Sequence, residues 1–328
     1  MEVIRVLRKG SVVLGASALA ACGGGGGGSD GDTAVALTCE SAALPVYELM
    51  LDSNKYSGQE VTIINADDVA NMLGIYGDVE VGTALINNVR TALTNQSGDK
   101  PVCVNEEEGG TATLSVSGSG SKVEERWVFN SCVVSTSDFG QVSLSGTYRN
   151  GEEITDKTSK VRRGEEFQIY EDLQGKIVDP QTATPFTING QSSVVFEVEL
   201  ASGDGCVKEN VSGLEFQSFD GDYVALTGSE TFLKKSGSMT EIRIKGTLVG
   251  SSVGGYLEVS APEPVVFADS QKCPQEGIIR VLSDGEARVL YGDSAGGTAT
   301  GVAVWINNQL EQSYDDCQKI GVAPLSAD

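Results

Sequence analysis

The chain is expected to be mainly β: an antiparallel sheet or sandwich, curved or partly closed as a barrel, with one or two short helices near the N-terminus. Three observations predict this. From Thr111 onward apolar and polar residues alternate with a period of two, and glycine and serine interrupt the alternation at short intervals. Forty-one glycines against eight prolines suit many tight turns. No fixed repeat of about 20–50 residues runs through the chain, which disfavours a solenoid or a propeller.

Taken in order, the helical segment comes first, over about 43–95. Leu85, Val89 and Leu93 recur every four residues, Ala66-Asp67-Asp68 suits a helix start, and a second helix is placed at about Val79 to Thr94. Its apolar stripe is expected to cover one side of the sheet. A helix lying on a membrane would be basic on its polar face, and this one is not. Two β-like runs follow, Thr111 to Val116 and Lys122 to Phe129, joined by Ser117-Gly118-Ser119-Gly120-Ser121. Val194, Phe196, Val198 and Leu200 alternate with Glu197 and Glu199, and Glu241-Ile242-Arg243-Ile244-Lys245 alternates as cleanly. Each is a strand with one apolar and one charged face. Ile278 to Leu282 and Glu286 to Tyr291 flank Ser283-Asp284-Gly285, a hairpin pattern. Residues 39–328 therefore form one β-rich domain, or two divided near 205–210.

The N-terminus reads as an address. Arg5, Arg8 and Lys9 precede an apolar run from Ser11 to Ala21, too short to span a bilayer and suited to a signal-peptide core over residues 1–21. Leu19-Ala20-Ala21-Cys22 resembles the lipobox of bacterial lipoproteins, which implies a diacylglyceryl thioether on Cys22. At roughly 0.8 kcal/mol per buried methylene, several acyl chains make a durable anchor. Residues 22–38 hold Gly23 to Gly28 and then Ser29-Asp30-Gly31-Asp32, a polar tether reaching roughly 20–25 Å from the bilayer. Gly23 after the lipidated cysteine, by resemblance to Gram-negative lipoproteins, implies the outer membrane, on its periplasmic or surface face.

Six cysteines remain: Cys39, Cys103, Cys132, Cys206, Cys273 and Cys317. In an exported chain an even count predicts three disulfides among fifteen possible pairings. The turn at Ser117–Ser121 lies midway between Cys103 and Cys132 and folds them together, and Cys273 and Cys317 bracket a four-stranded meander. Cys39 with Cys206 follows by elimination.

Composition narrows the chemistry. Loss of residues 1–21 reduces 46 acids and 23 bases to 45 and 20, a formal charge of −25, which disfavours nucleic acid and anionic lipid as partners. With no histidine and no CxxC, a zinc or haem site is not expected, and no cofactor is. Gly250-Ser251-Ser252-Val253-Gly254 matches G-x-S-x-G but sits between strands with no histidine to complete a triad. Ser119-Gly120-Ser121-Lys122 matches S-x-x-K inside the first hairpin turn, without its companion motifs. No catalytic residue is assigned. Carboxylates that could pair for glycoside hydrolysis include Glu124, Glu125, Glu197, Glu199, Asp220 and Asp222. Glu197 and Glu199 read as a solvated strand face, and Asp220-Gly221-Asp222 as a turn. Trp127 and Phe129 share a strand face expected to be core; with Trp305 and Tyr314 they would line an apolar ligand site on an uncovered sheet.

Gly254-Gly255-Tyr256-Leu257-Glu258-Val259-Ser260-Ala261-Pro262-Glu263-Pro264, followed by Cys273-Pro274-Gln275-Glu276-Gly277, resembles the C-terminal part of a set of Gram-negative lipoproteins of unknown function. The resemblance covers about the last seventy residues and the leader and implies no activity. The expectation is a membrane-anchored envelope lipoprotein, a non-catalytic binding or scaffolding module for a lipid, a glycan or an envelope protein. The alternative is a secreted-type hydrolase using two carboxylates.

Overall fold

The computed structural model describes residues 39, 49, 51, 54–63, 65–95, 101–158, 160–178, 183–217, 221–268, 273–296 and 300–317. Cys22, the leader over 1–21 and the tether over 22–38 lie outside the described residues, as does Asp220. Thirteen strands follow one another as a meander: β1 Thr111–Ser119, β2 Lys122–Thr136, β3 Gly140–Lys157, β4 Val161–Val178, β5 Ala183–Glu199, β6 Gly205–Gln217, β7 Tyr223–Ser236, β8 Met239–Gly250, β9 Gly255–Ala268, β10 Glu276–Ser283, β11 Gly285–Gly292, β12 Val302–Ile306 and β13 Gln309–Tyr314. Each pairs antiparallel with its sequence neighbours, in the spatial order β1 to β13, and the sheet is open. Residues 205–210 fall inside β6, which is paired on both sides.

The sheet is creased. Register shifts interrupt the pairing of β2 with β3, β3 with β4, β4 with β5, β5 with β6, β7 with β8, β8 with β9 and β9 with β10, most of them near mid-strand. A residue with positive φ marks this line on most strands, among them Ser131, Gly146, Asp172, Gly190, Gly228 and Gly246. Bulges of this kind bend the strand that carries them, and a row of them bends the sheet. Two of the bulges are capped by side chains: Ser131 N–H donates to Ser145 Oγ at 3.0 Å and Asp172 N–H to Asn189 Oδ1 at 2.7 Å.

Among the described residues one α-helix, α1, spans Ala66–Thr94 and lies in the crease. Its start is a capping box, with Asp68 N–H donating to Asn65 Oδ1 and Asn65 N–H to Asp68 Oδ2, both at 3.0 Å. The cap is thus one residue earlier than the expected Ala66-Asp67-Asp68, and the C-terminal half of α1 coincides with the expected Val79–Thr94 helix. Val69, Leu85, Ile86, Val89 and Leu93 are buried against the concave face. Gly82 meets Phe216 of β6 so closely that a Cβ would lie 2.7 Å from the ring. Near the helix C-terminus, Ser137 Oγ donates to Asn88 Oδ1 at 3.1 Å and Arg90 Nε to Glu125 at 3.0 Å. Along a straight strand, residues 125 and 137 would stand roughly 40 Å apart. Two helix residues reach both because β2 folds around the helix.

The convex face is covered differently. Cys39 is bonded to Cys206, Leu49 packs on Gly213, and Leu49, Leu51 and Tyr56 cover Tyr223, Ala225 and Val249. Tyr56 stacks on Tyr223 with ring centroids 6.2 Å apart. Val61 then bonds to Tyr256 and Asp284, taking the chain round the end of the sheet to α1 on the other face. The other disulfides join Cys103 to Cys132 and Cys273 to Cys317, the two pairs expected from the strand pattern, and Cys39–Cys206 is the one left by elimination. Cys39–Cys206, at a separation of 167, removes the most unfolded-chain freedom, about 5 kcal/mol in the loop-entropy view.

Candidate functional site

Three adjacent cross-strand rows on the concave face, beside the C-terminal end of α1, change from aromatic to acidic. The deepest row is Trp127, Tyr148, Tyr170 and Gly190 on β2 to β5. Next come Glu125, Asn150, Gln168 and Ser192, and then Val123, Glu152, Glu166 and Val194. Alternation along each strand puts all twelve on one face. Trp127, Tyr148 and Tyr170 are fully buried, whereas Val123 is 47% exposed and its face-mate Val116 on β1 is 63% exposed. The rows thus form a recess, closed at the aromatic end and open beside the β1–β2 hairpin.

Most polar groups in the recess are held. Glu125 accepts from Arg90 Nε at 3.0 Å and from Trp127 Nε1 at 3.3 Å. Arg162 donates to Glu152 at 2.7 Å while its guanidinium lies 5.4 Å over the Phe196 ring. Tyr170 donates to Gln168 Oε1 at 2.6 Å. Among those that are not held are groups on β3 and β4. The Tyr148 hydroxyl and Asn150 Oδ1 are buried without a hydrogen-bond partner. Glu166, directly opposite Glu152, makes no hydrogen bond or ion pair among the described residues. Burial pushes the Glu166 carboxyl up to about 7; Glu152 adds to this, and Arg162 and Arg90 oppose it. Burial likewise raises the Tyr148 hydroxyl, which feels the charges of Arg90, Glu125 and Glu166. Unsatisfied buried polar atoms are uncommon in native folds, and two of them beside the half-buried Glu166 carboxyl on one face mark a place for a ligand.

The carboxylates singled out from sequence are dispersed. Glu125 lies in the recess, whereas Glu124, on the other face of β2, is bonded to Arg149 at 2.6 Å. Glu197 corrects an expectation: it is buried, not solvated, bonded to Arg163 at 2.6 Å and accepting from Cys39 N–H at 3.4 Å. The convex-face segment anchored by Cys39 covers the strand side that alternation alone leaves wet. Glu199 accepts from Ser202 in the β5–β6 turn. Asp222 accepts from Ser251 Oγ, which itself accepts from Tyr223 N–H, so the serine of G-x-S-x-G ties two turns together. Ser119 and Lys122 of the S-x-x-K match flank the β1–β2 turn as cross-strand partners. Trp127 and Phe129 are core, stacked at 6.2 Å; Trp305 and Tyr314 lie far along the sheet on β12 and β13. Cys39 and Cys206 lie close to Glu197, and Cys273 and Cys317 to Asp316, but each cysteine pair is a disulfide and offers no thiolate to a metal. Tyr148, Asn150, Glu152 and Glu166 carry no sequence motif.

No protein-family model, curated protein or solved structure matches this chain.

Proposed function

We propose that the protein is a lipid-anchored module of the Gram-negative cell envelope that binds a small polar ligand in the concave recess without transforming it. The observation that carries binding is the pair of buried polar atoms without a hydrogen-bond partner, the Tyr148 hydroxyl and Asn150 Oδ1, on the same face as the Glu166 carboxyl, which makes no hydrogen bond or ion pair among the described residues. Hydrolysis by two carboxylates needs one on each side of the scissile bond. Glu152 and Glu166 are side by side on one sheet surface, and Glu152 is engaged by Arg162, which favours binding over hydrolysis. Attachment rests on Leu19-Ala20-Ala21-Cys22 and its leader, and outer-membrane placement on Gly23.

Two measurements test this reading. Grown with labelled palmitate, cells should label the wild-type chain and not Cys22→Ala; an unlabelled wild type, or a labelled variant, overturns the anchor. Native mass spectrometry of the protein extracted from its membrane in mild detergent should show a small molecule bound beyond the lipidated mass, absent from Glu166→Gln. A wild type with no added mass overturns the binding role.

A further inference from the structure

We infer that the recess takes the primary ammonium group of an alkylamine, with Glu166, Asn150 and the Tyr148 hydroxyl accepting its three N–H bonds. This rests on the binding role proposed above and names its ligand class.

The donor count decides the class. Asn150 Oδ1 and a carboxylate are acceptors, and the Tyr148 hydroxyl can accept as well as donate, so a ligand with several donors satisfies all three. An ammonium has three and no acceptor. A neutral alcohol has one, and an anion would face Glu125, Glu152 and Glu166. A divalent cation needs about six or more oxygen ligands, whereas two of the recess carboxylates, Glu125 and Glu152, are already taken by Arg90 and Arg162. Asn150 and Glu166 are diagonal neighbours on one face, about 7 Å apart at the backbone, a span that an ammonium between their side chains bridges. The exposed side chains of Val116 and Val123 continue the face beyond the acid pair and suit the methylene stem.

Charge linkage gives the site a signature. The groups around Glu166 are Glu152 and Tyr148 on β3, Arg162 and Tyr170 on β4, Glu125 on β2 and Arg90 on α1, with Glu209 on β6 acting on Tyr170. An ammonium binds the charged form of Glu166, so affinity should climb as that carboxyl loses its proton. With half-titration at about 7, the observed affinity should rise about tenfold from pH 6 to pH 8.

The test is calorimetric titration of the full lipidated protein in detergent with 1,4-diaminobutane and 1-aminobutane, against 1-butanol and calcium chloride. Both amines should bind, with the tenfold rise in affinity, and the alcohol and calcium should bind at least tenfold more weakly. Glu166→Gln should lose about tenfold at pH 8 and flatten the pH profile. Glu165→Gln, which removes the same charge from the opposite strand face, should change affinity less than twofold and so separates the site from general attraction to a polyanion. The inference is overturned if Glu165→Gln and Glu166→Gln weaken binding equally, if the alcohol or calcium competes on equal terms, or if Asn150→Ala, shown folded by circular dichroism, keeps full affinity. A native ligand seen by mass spectrometry with no amine binding would sink the ammonium and leave the binding role standing.

Discussion

Tyr148 shows how a single residue can trade stability for a site. Its ring is packed 5.3 Å from that of Tyr170 at full burial, while its hydroxyl has lost water and gained nothing in return. Removing an unsatisfied buried hydroxyl relieves a desolvation cost without touching the packing. Tyr148→Phe should therefore raise the unfolding free energy by about 1 kcal/mol, read as a higher urea midpoint at unchanged slope. A lower midpoint would mean that the hydroxyl is bonded. The same scale explains why the site was hard to read in the sequence. Glu152-Glu153 and Glu165-Glu166 are adjacent acids, and one of each pair points into the recess while the other points out. Which one is a question of strand parity, and the chain gives no local sign of it. Glu197 misleads in the same way, because what buries it is a segment 158 residues away.

Elements were more legible than faces. The hairpins around Ser117–Ser121 and Ser283–Gly285 and the core assignment of Trp127 and Phe129 all follow from period-two alternation over short distances. The crease does not, because it is a property of many strands aligned: each bulge shifts the register by a residue or more and reverses the inward parity beyond it. Isolated glycines in strands hint at bulges, but only the alignment of Gly146, Gly190 and Gly246 across neighbours makes a fold line. Gly190 tests that role. Its φ is 121°, and a Cβ there would stand 2.2 Å from the Gly213 carbonyl oxygen. Backbone strain alone costs of order 1–3 kcal/mol, and the clash with main chain adds to it. Gly190→Ala should lower stability by at least about 3 kcal/mol in thermal or urea unfolding, whereas alanine at Gly203, in the β5–β6 turn with open space around it, should cost about 1 kcal/mol. Equal effects at the two positions would remove the crease from the account.

At the scale of the molecule, the strand count explains why the sheet stays open. In a thirteen-stranded meander the first and last strands run in the same direction, so closing β1 on β13 would need a parallel pair in an otherwise antiparallel ladder. The fold stabilises itself instead by wrapping the sheet around α1 and fastening the convex segment with Cys39–Cys206. The recess adds a pH dependence to the stability of the whole. Glu166 has its usual carboxyl value of about 4.5 in the unfolded chain and about 7 in the fold, so between those values the native state holds a proton that the unfolded state has lost. Its contribution is fully present below about 4.5 and is lost as pH rises through about 7. Glu230 behaves oppositely: Lys208 and Lys245 hold its carboxyl low against its burial, so its contribution is present above about 4.5 and lost as the pH falls further. The two windows do not overlap. Wild-type unfolding free energy should therefore decline between pH 5 and pH 7.5, and the decline should flatten in Glu166→Gln, leaving the variant the more stable at pH 8. Saturating 1,4-diaminobutane, by pairing with the charged carboxylate, should shallow the wild-type slope and leave that of the variant unchanged. Denaturant melts at half-unit pH steps, with and without the amine, read all four slopes, and a wild-type slope equal to that of Glu166→Gln would show that no proton is held at Glu166.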